Sequence, residues 1–261
     1  MKMLPKDLYT SIQYVSAITE IARENGIKLE IGSDFETFRN ALSAHPDMPP
    51  LYPMFDPAAS YVDWTNGLWI LGTDEKGEIV HTQAMRRIDM SQTTLAEHMQ
   101  LHRRKYVIQG AAIDPDLSLY AKGSAWHNIR GNVCYHGQLW LKGGPGGYRG
   151  KGMTTILPRL AMALGHMQWS PDYVFGFMTP RAACGGLSAR EGYMHFEPGI
   201  WRVPGDSKPH ETWMVWMGRE DLDQLLRFPA HELYEKLVEP EKRKLEEVPR
   251  PLVNGRAAAY A

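Results

Sequence analysis

The sequence predicts an α/β fold, and three observations carry that expectation. Apolar residues recur at the two-residue period of strands in some segments and at spacings of three and four in others. A nearly all-apolar run from Tyr173 to Met178 has the pattern of a strand buried on both faces. Between them, a strand-like segment runs through a glycine-rich loop into an amphipathic helix. The 261 residues can hold one large domain or two small ones, with volume for a real core. Lys and Arg number 29 against 30 Asp and Glu, a net charge of −1, so no basic excess supports nucleic-acid binding by bulk charge. At 43% hydrophobic and 23% charged, the chain has an ordinary globular composition rather than a disordered or collagen-like one.

In chain order, residues 11–25 carry Ile12, Val15, Ile18 and Ala22 at helical spacing and stop at Asn25-Gly26, a helix-ending pair. Ile27, Leu29 and Ile31 alternate with polar neighbours, which predicts a strand. Asp34 then caps a short helix through Phe35, Phe38 and Leu42. Residues 45–57 hold Pro46, Pro49, Pro50, Pro53 and Pro57, which donate to neither helix nor ladder, so the segment is a loop. Residues 68–73 and 78–86 flank Asp74-Glu75-Lys76-Gly77 as a hairpin. Residues 93–106 read as a helix, and the irregular stretch after it makes 91–131 a lid or an acceptor-site insertion.

Residues 133–141 form a strand with Val133, Tyr135, Leu139 and Leu141 on one face and Cys134, His136, Gln138 and Trp140 on the other. Met153, Ile156, Leu157, Leu160, Leu164 and Met167 make one helix face, with Pro158 expected to kink or loosen its second turn. Residues 181–191 form one short helix ended by Gly192, and 193–203 and 211–217 are strands. From Glu239 the composition is that of a poorly packed tail. The apolar runs are far shorter than the roughly 20 residues of a membrane span. Lys2, Lys6 and Asp7 precede a polar stretch where a secretory signal would need an apolar block. A cytoplasmic protein is expected, and two cysteines, Cys134 and Cys184, fit a reducing compartment.

The glycine loop, residues 143–152, leaves main-chain N–H groups at the positive end of a helix dipole, a setting for phosphate. A nucleotide P-loop fails because Pro145 stands where its first glycine belongs and Gly152 where its hydroxyl residue belongs. A dinucleotide fingerprint from Gly150 lacks its last glycine, and Asp172 lies before the next strand instead of at its end. The run Tyr148-Arg149-Gly150-Lys151-Gly152-Met153 resembles the acyl-coenzyme A loop of the GNAT acyltransferase superfamily, Arg/Gln-x-x-Gly-x-Gly/Ala between strand and helix. Arg149 and Gly152 match, Thr154 departs from the small final residue, and Gly192-Tyr193 resembles the closing Gly-Phe.

The resemblance implies a mixed, mostly antiparallel sheet with flanking helices and a splayed central strand pair. It further implies residues 1–60 as an extension packed on a core of 61–220, and 221–261 as a C-terminal helix and tail. An acetyl or other acyl-coenzyme A is the implied co-substrate and an amine of a small molecule or peptide the acceptor, with neither metal, nucleic acid nor membrane involved and a homodimer compatible. The resemblance assigns cofactor binding to Leu139, Leu141, Tyr148, Arg149, Gly150, Lys151, Gly152, Met153 and Thr154. The oxyanion would be held by backbone N–H groups where the two central strands part.

His136 is the leading candidate base, against the plainer reading of a core or surface histidine. Ser188 occupies the place of the tyrosine that protonates the departing thiolate in many relatives, and serine is a poor acid there. Tyr193, Tyr135 and His195 are further acid or base candidates with packing as the plain alternative. Cys184 near a helix start is a nucleophile candidate, with burial as a small hydrophobe the ordinary role. His98 and His102 have metal-pair spacing but no third ligand, and His102-Arg103-Arg104-Lys105 reads equally as an anion contact or a solvated face. Two competing functions stay open: an enzyme resembling acyl-homoserine-lactone synthases, which draw on acyl carrier protein, and a coenzyme A sensor that has lost its chemistry.

Overall fold

The computed structural model describes residues 5–45, 48–107, 119–121, 123–144, 146–148, 150–202 and 210–246. Helix α1 (Pro5–Glu24) starts before the predicted residue 11 and ends where Asn25 N–H closes onto Ile21 and Ala22 carbonyls. Its buried side carries Tyr14, Ile18, Ile21 and Ala22, while Ile12 turns to solvent. Strand β1 (Lys28–Gly32) is a sheet edge, which leaves Ile31 exposed despite the alternation. Asp34 caps α2 (Phe35–Ser43), its Oδ1 accepting from Glu36 N–H at 3.1 Å and its Oδ2 from the Thr37 hydroxyl. β2 (Gly67–Thr73) and β3 (Ile79–Met90) form the expected hairpin, whose turn is closed by Asp74 accepting from Lys76 and Glu78 N–H.

Thr94 and Glu97 make a capping box for α3 (Leu95–His102), which tightens into a 3-10 turn over Arg103–Tyr106 instead of continuing as α-helix. β4 (Leu119–Ala121) follows, and residues 108–118 and 122 of the 91–131 stretch expected as a lid or an insertion lie outside the described residues. Then come β5 (Gly131–Leu141), α4 (Met153–Trp169) and β6 (Tyr173–Met178). α4 continues as one element through Pro158, whose missing N–H leaves only the Thr154 carbonyl without its helical donor.

The single helix expected over 181–191 is two: α5 (Pro180–Cys184) and α6 (Leu187–Glu191), broken where Gly186 adopts φ +78°, a left-handed turn that a side chain would strain. β7 (His195–Arg202), β8 (His210–Gly218), α7 (Arg219–Arg227) and α8 (Ala230–Glu246) complete the chain, so helix continues past Glu239, where a tail was expected.

The eight strands form one sheet in the order β1-β2-β3-β5-β6-β8-β7-β4, with β5–β6 parallel and every other pair antiparallel. This is the mixed, mostly antiparallel sheet with flanking helices that was expected. One core, around Ile18, Ile21, Met85, Ile156, Leu160 and Val215, joins the sheet to α1, α4 and α7. The second is aromatic, with Phe35, Phe55, Tyr106, Trp126, Tyr135 and Phe175 joining it to α2, α3 and the loop after α2. No helix among the described residues is long and apolar enough to cross a membrane.

The strand faces of β5 differ from strict alternation. Cys134 and Leu141 pack in the helical core, whereas Val133, Tyr135 and Trp140 pack in the aromatic one. Leu141 was expected on the Val133 face. One extra residue in the strand reverses the parity of everything after it.

Leu160, fully buried at the centre of α4, tests the helical core. Leu160→Ala is expected to lower unfolding free energy by about 2–5 kcal/mol in urea titrations, and a loss under about 1 kcal/mol would show that the helix is not clamped as described.

Candidate active site

β5 and β6 are paired only at Val133–Tyr173, Cys134–Val174 and Tyr135–Phe175. Beyond these, β5 stays with β3 as far as Leu141 and β6 stays with β8 as far as Met178, so the sheet parts in a V. The cause is a bulge. The β3–β5 register slips between Thr82 and Ala84, so Gln138 and Leu139 together oppose Gln83. An extra residue bends its strand and increases its twist, which carries residues 136–141 away from β6.

Gln138 takes the left-handed conformation, φ +53°, at a cost of roughly 1–2 kcal/mol. Several contacts hold it there. Its Oε1 accepts from Tyr52 N–H at 3.1 Å, its Nε2 reaches the Pro49 and Pro50 carbonyls at 3.4 Å, and its own carbonyl accepts from the Thr82 hydroxyl at 2.8 Å. The proline-rich loop therefore acts as a clamp, because prolines that cannot donate still offer carbonyls. Lys142 N–H donates to the Val80 carbonyl on β3, so alternation turns the main chain of Leu141 and Leu139 to the edge that β6 has left.

A cavity of about 260 Å³ fills the V, with Tyr52, His136, Leu139, Gly176, Glu191 and Tyr193 in its wall. Gly176 keeps it open, because a Cβ there would lie 2.9 Å from the His136 carbonyl and 3.0 Å from the Tyr193 hydroxyl. His136 is buried, with Nδ1 2.9 Å from Tyr193 Oη and Nε2 3.0 Å from Gln83 Oε1. Gln83 donates its amide N–H to the Leu157 carbonyl at 2.8 Å, which leaves Oε1 to accept. His136 thus carries its proton on Nε2, and Nδ1 accepts from the Tyr193 hydroxyl. Burial, with His81 adding to it, pushes the His136 pKa down to about 3. Its lone pair is occupied and its charged form is excluded, so its part is to hold Tyr193 rather than to take a proton at neutral pH. Tyr193 in turn directs its proton at His136 and keeps its oxygen lone pairs for the cavity, and burial raises its pKa well above 10.

Ser188 is buried, donates to the Ala183 carbonyl at 3.4 Å and does not line the cavity. Tyr135 stacks within the aromatic core, and its hydroxyl lies over Gly137. His195 pairs with Asp221 at 3.0 Å and stacks on Trp216, away from the cavity. Cys184 is exposed and Cys134 buried, the burial raising the Cys134 thiol pKa. His98 and His102 touch ring to ring, His98 accepting or donating at Tyr106 Oη 2.9 Å away; no metal-sized group of ligands occurs among the described residues.

In the glycine loop, Gly144, Gly146, Gly150 and Gly152 all have φ between +72° and +81°. Tyr148 donates its N–H to the Lys142 carbonyl and buries its ring, over which Lys151 Nζ lies at 5.0 Å. Gly152 is the N-cap of α4 and has no side chain to satisfy the helix start. Thr155 and Ile156 N–H close onto the Gly152 carbonyl, while among the described residues those of Gly152, Met153 and Thr154 have no acceptor. The Met153 side chain is in the core, and Lys151 is exposed. Tyr234 and Leu237 of α8 wall one side, within 3.4 and 3.6 Å of a Cβ built on Gly152. Arg149 and Pro145 lie outside the described residues.

Sequence reasoning missed Gln138 as a bulge, Gln83 as the His136 partner, and Tyr52 and Glu191 in the cavity wall. Two of these had a signal. Gly137 puts a glycine in the interior of a strand, which often marks a bulge, and Glu191 puts an acid in the last turn of a helix, where the dipole favours cations.

No protein-family model matches the chain, and no curated protein matches it in sequence. Among solved structures, a variant of the spermidine N-acetyltransferase SpeG from Vibrio cholerae is similar with a TM-score of 0.41 and 8% identity, over 75% of this chain and 96% of its own. The aminoglycoside acetyltransferase AAC(6')-Ib in complex with coenzyme A and kanamycin gives 0.40 and 12%, over 76% and 98%. FeeM, an N-acyl amino acid synthase from uncultured soil microbes, gives 0.30 and 9%, over 84% and 88%. The strand order and the parted pair, rather than these scores, carry the account of the site.

Burial lowers the pKa of His136 to about 3 and those of His81 and His98 to about 4. All three stay neutral in the folded chain, whereas the unfolded chain protonates them below about pH 6.5. Their contribution is therefore intact above about pH 6.5 and is lost as pH falls toward 4. The urea midpoint is expected to fall across that window and His136→Gln to make the fall shallower; equal slopes for variant and parent would contradict a neutral buried His136.

Proposed function

We propose that the chain is a GNAT-type acyltransferase that moves an acetyl or other acyl group from coenzyme A to an amine of a small molecule or peptide by direct attack on the thioester. The observation that carries this reading is the parted β5–β6 pair, which opens a cavity, together with the N–H groups of Gly152, Met153 and Thr154 at the start of α4, which have no acceptor among the described residues. Gly152, Met153 and Thr154 N–H, with Lys151 and Arg149 adding positive charge, suit a diphosphate. Main-chain groups of Leu141 and Leu139 suit the amide-rich arm that follows it. Leu139 N–H, facing the gap, is placed to hold the carbonyl oxygen as negative charge develops on it.

Tyr193 is the cavity's hydrogen-bond acceptor for the incoming amine, because its own proton is committed to His136. His136 and Gln83 are positioning residues that fix that orientation. Holding amine and thioester together in one small cavity supplies a large part of the acceleration such reactions need. The aromatic wall on the Tyr52 side favours an acceptor with apolar surface next to its nitrogen.

Calorimetric titration with acetyl-coenzyme A and a thiol-release assay over amines test the reading together. Arg149→Ala and Gly152→Val are each expected to weaken binding about tenfold or more, the first through a lost charge-assisted contact and the second through a side chain in the left-handed cap. Absence of binding by the parent protein would overturn the proposal, and unchanged affinity in both variants would remove the loop from it.

A further inference from the structure

We infer that Glu191 is the proton-transfer residue of this cavity: its carboxylate takes the proton of the attacking amine and returns it to the departing thiolate. The inference rests on the acyltransferase reading and adds to it the group which that reading leaves unassigned.

Leu187 and Glu191 lie one turn apart on α6 and both face the cavity, whereas Ser188 turns away from it. Glu191 is only 5% exposed, yet among the described residues its carboxylate has neither a hydrogen bond nor an ion pair within 4 Å. The nearby Arg159 guanidinium donates through Nη1 to the Thr155 and Arg190 carbonyls, its buried Nε has no hydrogen-bond partner among the described residues, and its charge acts on Glu191 without a hydrogen bond between them. A buried carboxyl at the negative end of a helix is unfavourable on two counts, and the charges of Arg159 and Arg190 offset only part of that cost, burial remaining the larger effect. The neighbours that line the same space cannot do its work. His136 has its free lone pair filled by Tyr193, and the Tyr193 proton is held by His136.

The step balances without another reactant. The amine nitrogen bonds to the thioester carbon as its N–H proton passes to a Glu191 oxygen, directly or through one water. The carbonyl then re-forms, the C–S bond breaks, and the thiolate takes the proton from the Glu191 carboxylic acid, leaving amide, thiol and the original carboxylate. Burial pushes the Glu191 pKa up to about 8 while Arg159 and Arg190 pull it down, so the group exchanges protons near working pH. The groups that face it are Arg159 on α4, Arg190 on its own helix, Tyr193 before β7 and His136 on β5, with Tyr14 on α1 beyond Arg159. Tyr14 and Tyr193 stay protonated and His136 stays neutral through that range, which leaves Glu191 to set the enzyme's own acidic limb.

The test measures thiol release from acetyl-coenzyme A with tyramine, benzylamine and spermidine for the parent, Glu191→Gln and Glu191→Asp, each over about pH 6 to 10, with calorimetric affinity and melting alongside. Glu191→Gln is expected to lower kcat about 100-fold or more, to leave acetyl-coenzyme A affinity within about threefold, and to lose the acidic limb near pH 8 that does not follow the amine's own titration. Glu191→Asp is expected to restore part of the rate together with that limb. A Glu191→Gln protein with unchanged rate and limb overturns the inference, as does one that loses acetyl-coenzyme A binding or its cooperative melt, since the residue is then structural. A parent protein that binds acetyl-coenzyme A but releases no thiol with any amine, or does not bind it, overturns the acyltransferase reading and this inference with it.

Discussion

The ladder between β5 and β6 ends after three residue pairs because β5 contains one residue too many, and most of the site follows from that surplus. Gln138 carries the local strain of a left-handed backbone, and the fold tolerates it because the 49–52 loop holds its side chain and the Thr82 hydroxyl its main-chain carbonyl. Were that residue absent, β5 would run on beside β6, its main-chain donors would be paired, and the cavity would close. The same bulge reverses which side chains face which core, so Leu141 joins the helical layer and Trp140 the aromatic one.

Around the opening, the two cores play different parts. The aromatic core is dense and rigid, with Tyr135 in contact with Phe55, Tyr106, Phe175 and Phe177, and it props one side of the V. The helical core carries a chain of buried polar groups from the Leu157 carbonyl through Gln83 and His136 to Tyr193. Each member is satisfied by the next, which is the condition under which buried polarity orders a structure rather than weakening it. The direction of donation along that chain determines what the cavity offers: oxygen lone pairs from Tyr193, and no free nitrogen from His136.

Much of the architecture was legible from residue patterns. Asp34 announced its helix through capping chemistry, Asp74 to Gly77 announced a tight turn, and the order of strand, glycine loop and helix announced the start of α4. Where local pattern failed, the reason is physical in each case. Ile12 and Ile31 fit an apolar period but lie at an outer helix face and a sheet edge, where neighbours decide burial. Gly185-Gly186 divides a segment whose apolar spacing reads as one helix, because backbone freedom outweighs side-chain period there. His136 and Tyr193 were legible as residues with chemistry, but their roles depend on Gln83, which stands 53 positions from His136 and carries no motif.

By itself, the sequence determined most of the elements, their order, and a loop whose glycines must leave main-chain N–H groups free, since these depend on interactions spanning a few residues. Only the tertiary structure decided that the central strands part at Tyr135, that His136 holds its neighbour instead of taking a proton, and that Glu191 faces the cavity. Those outcomes depend on which of two strand faces a residue occupies and on which distant group fills a lone pair, and one inserted residue is enough to change both.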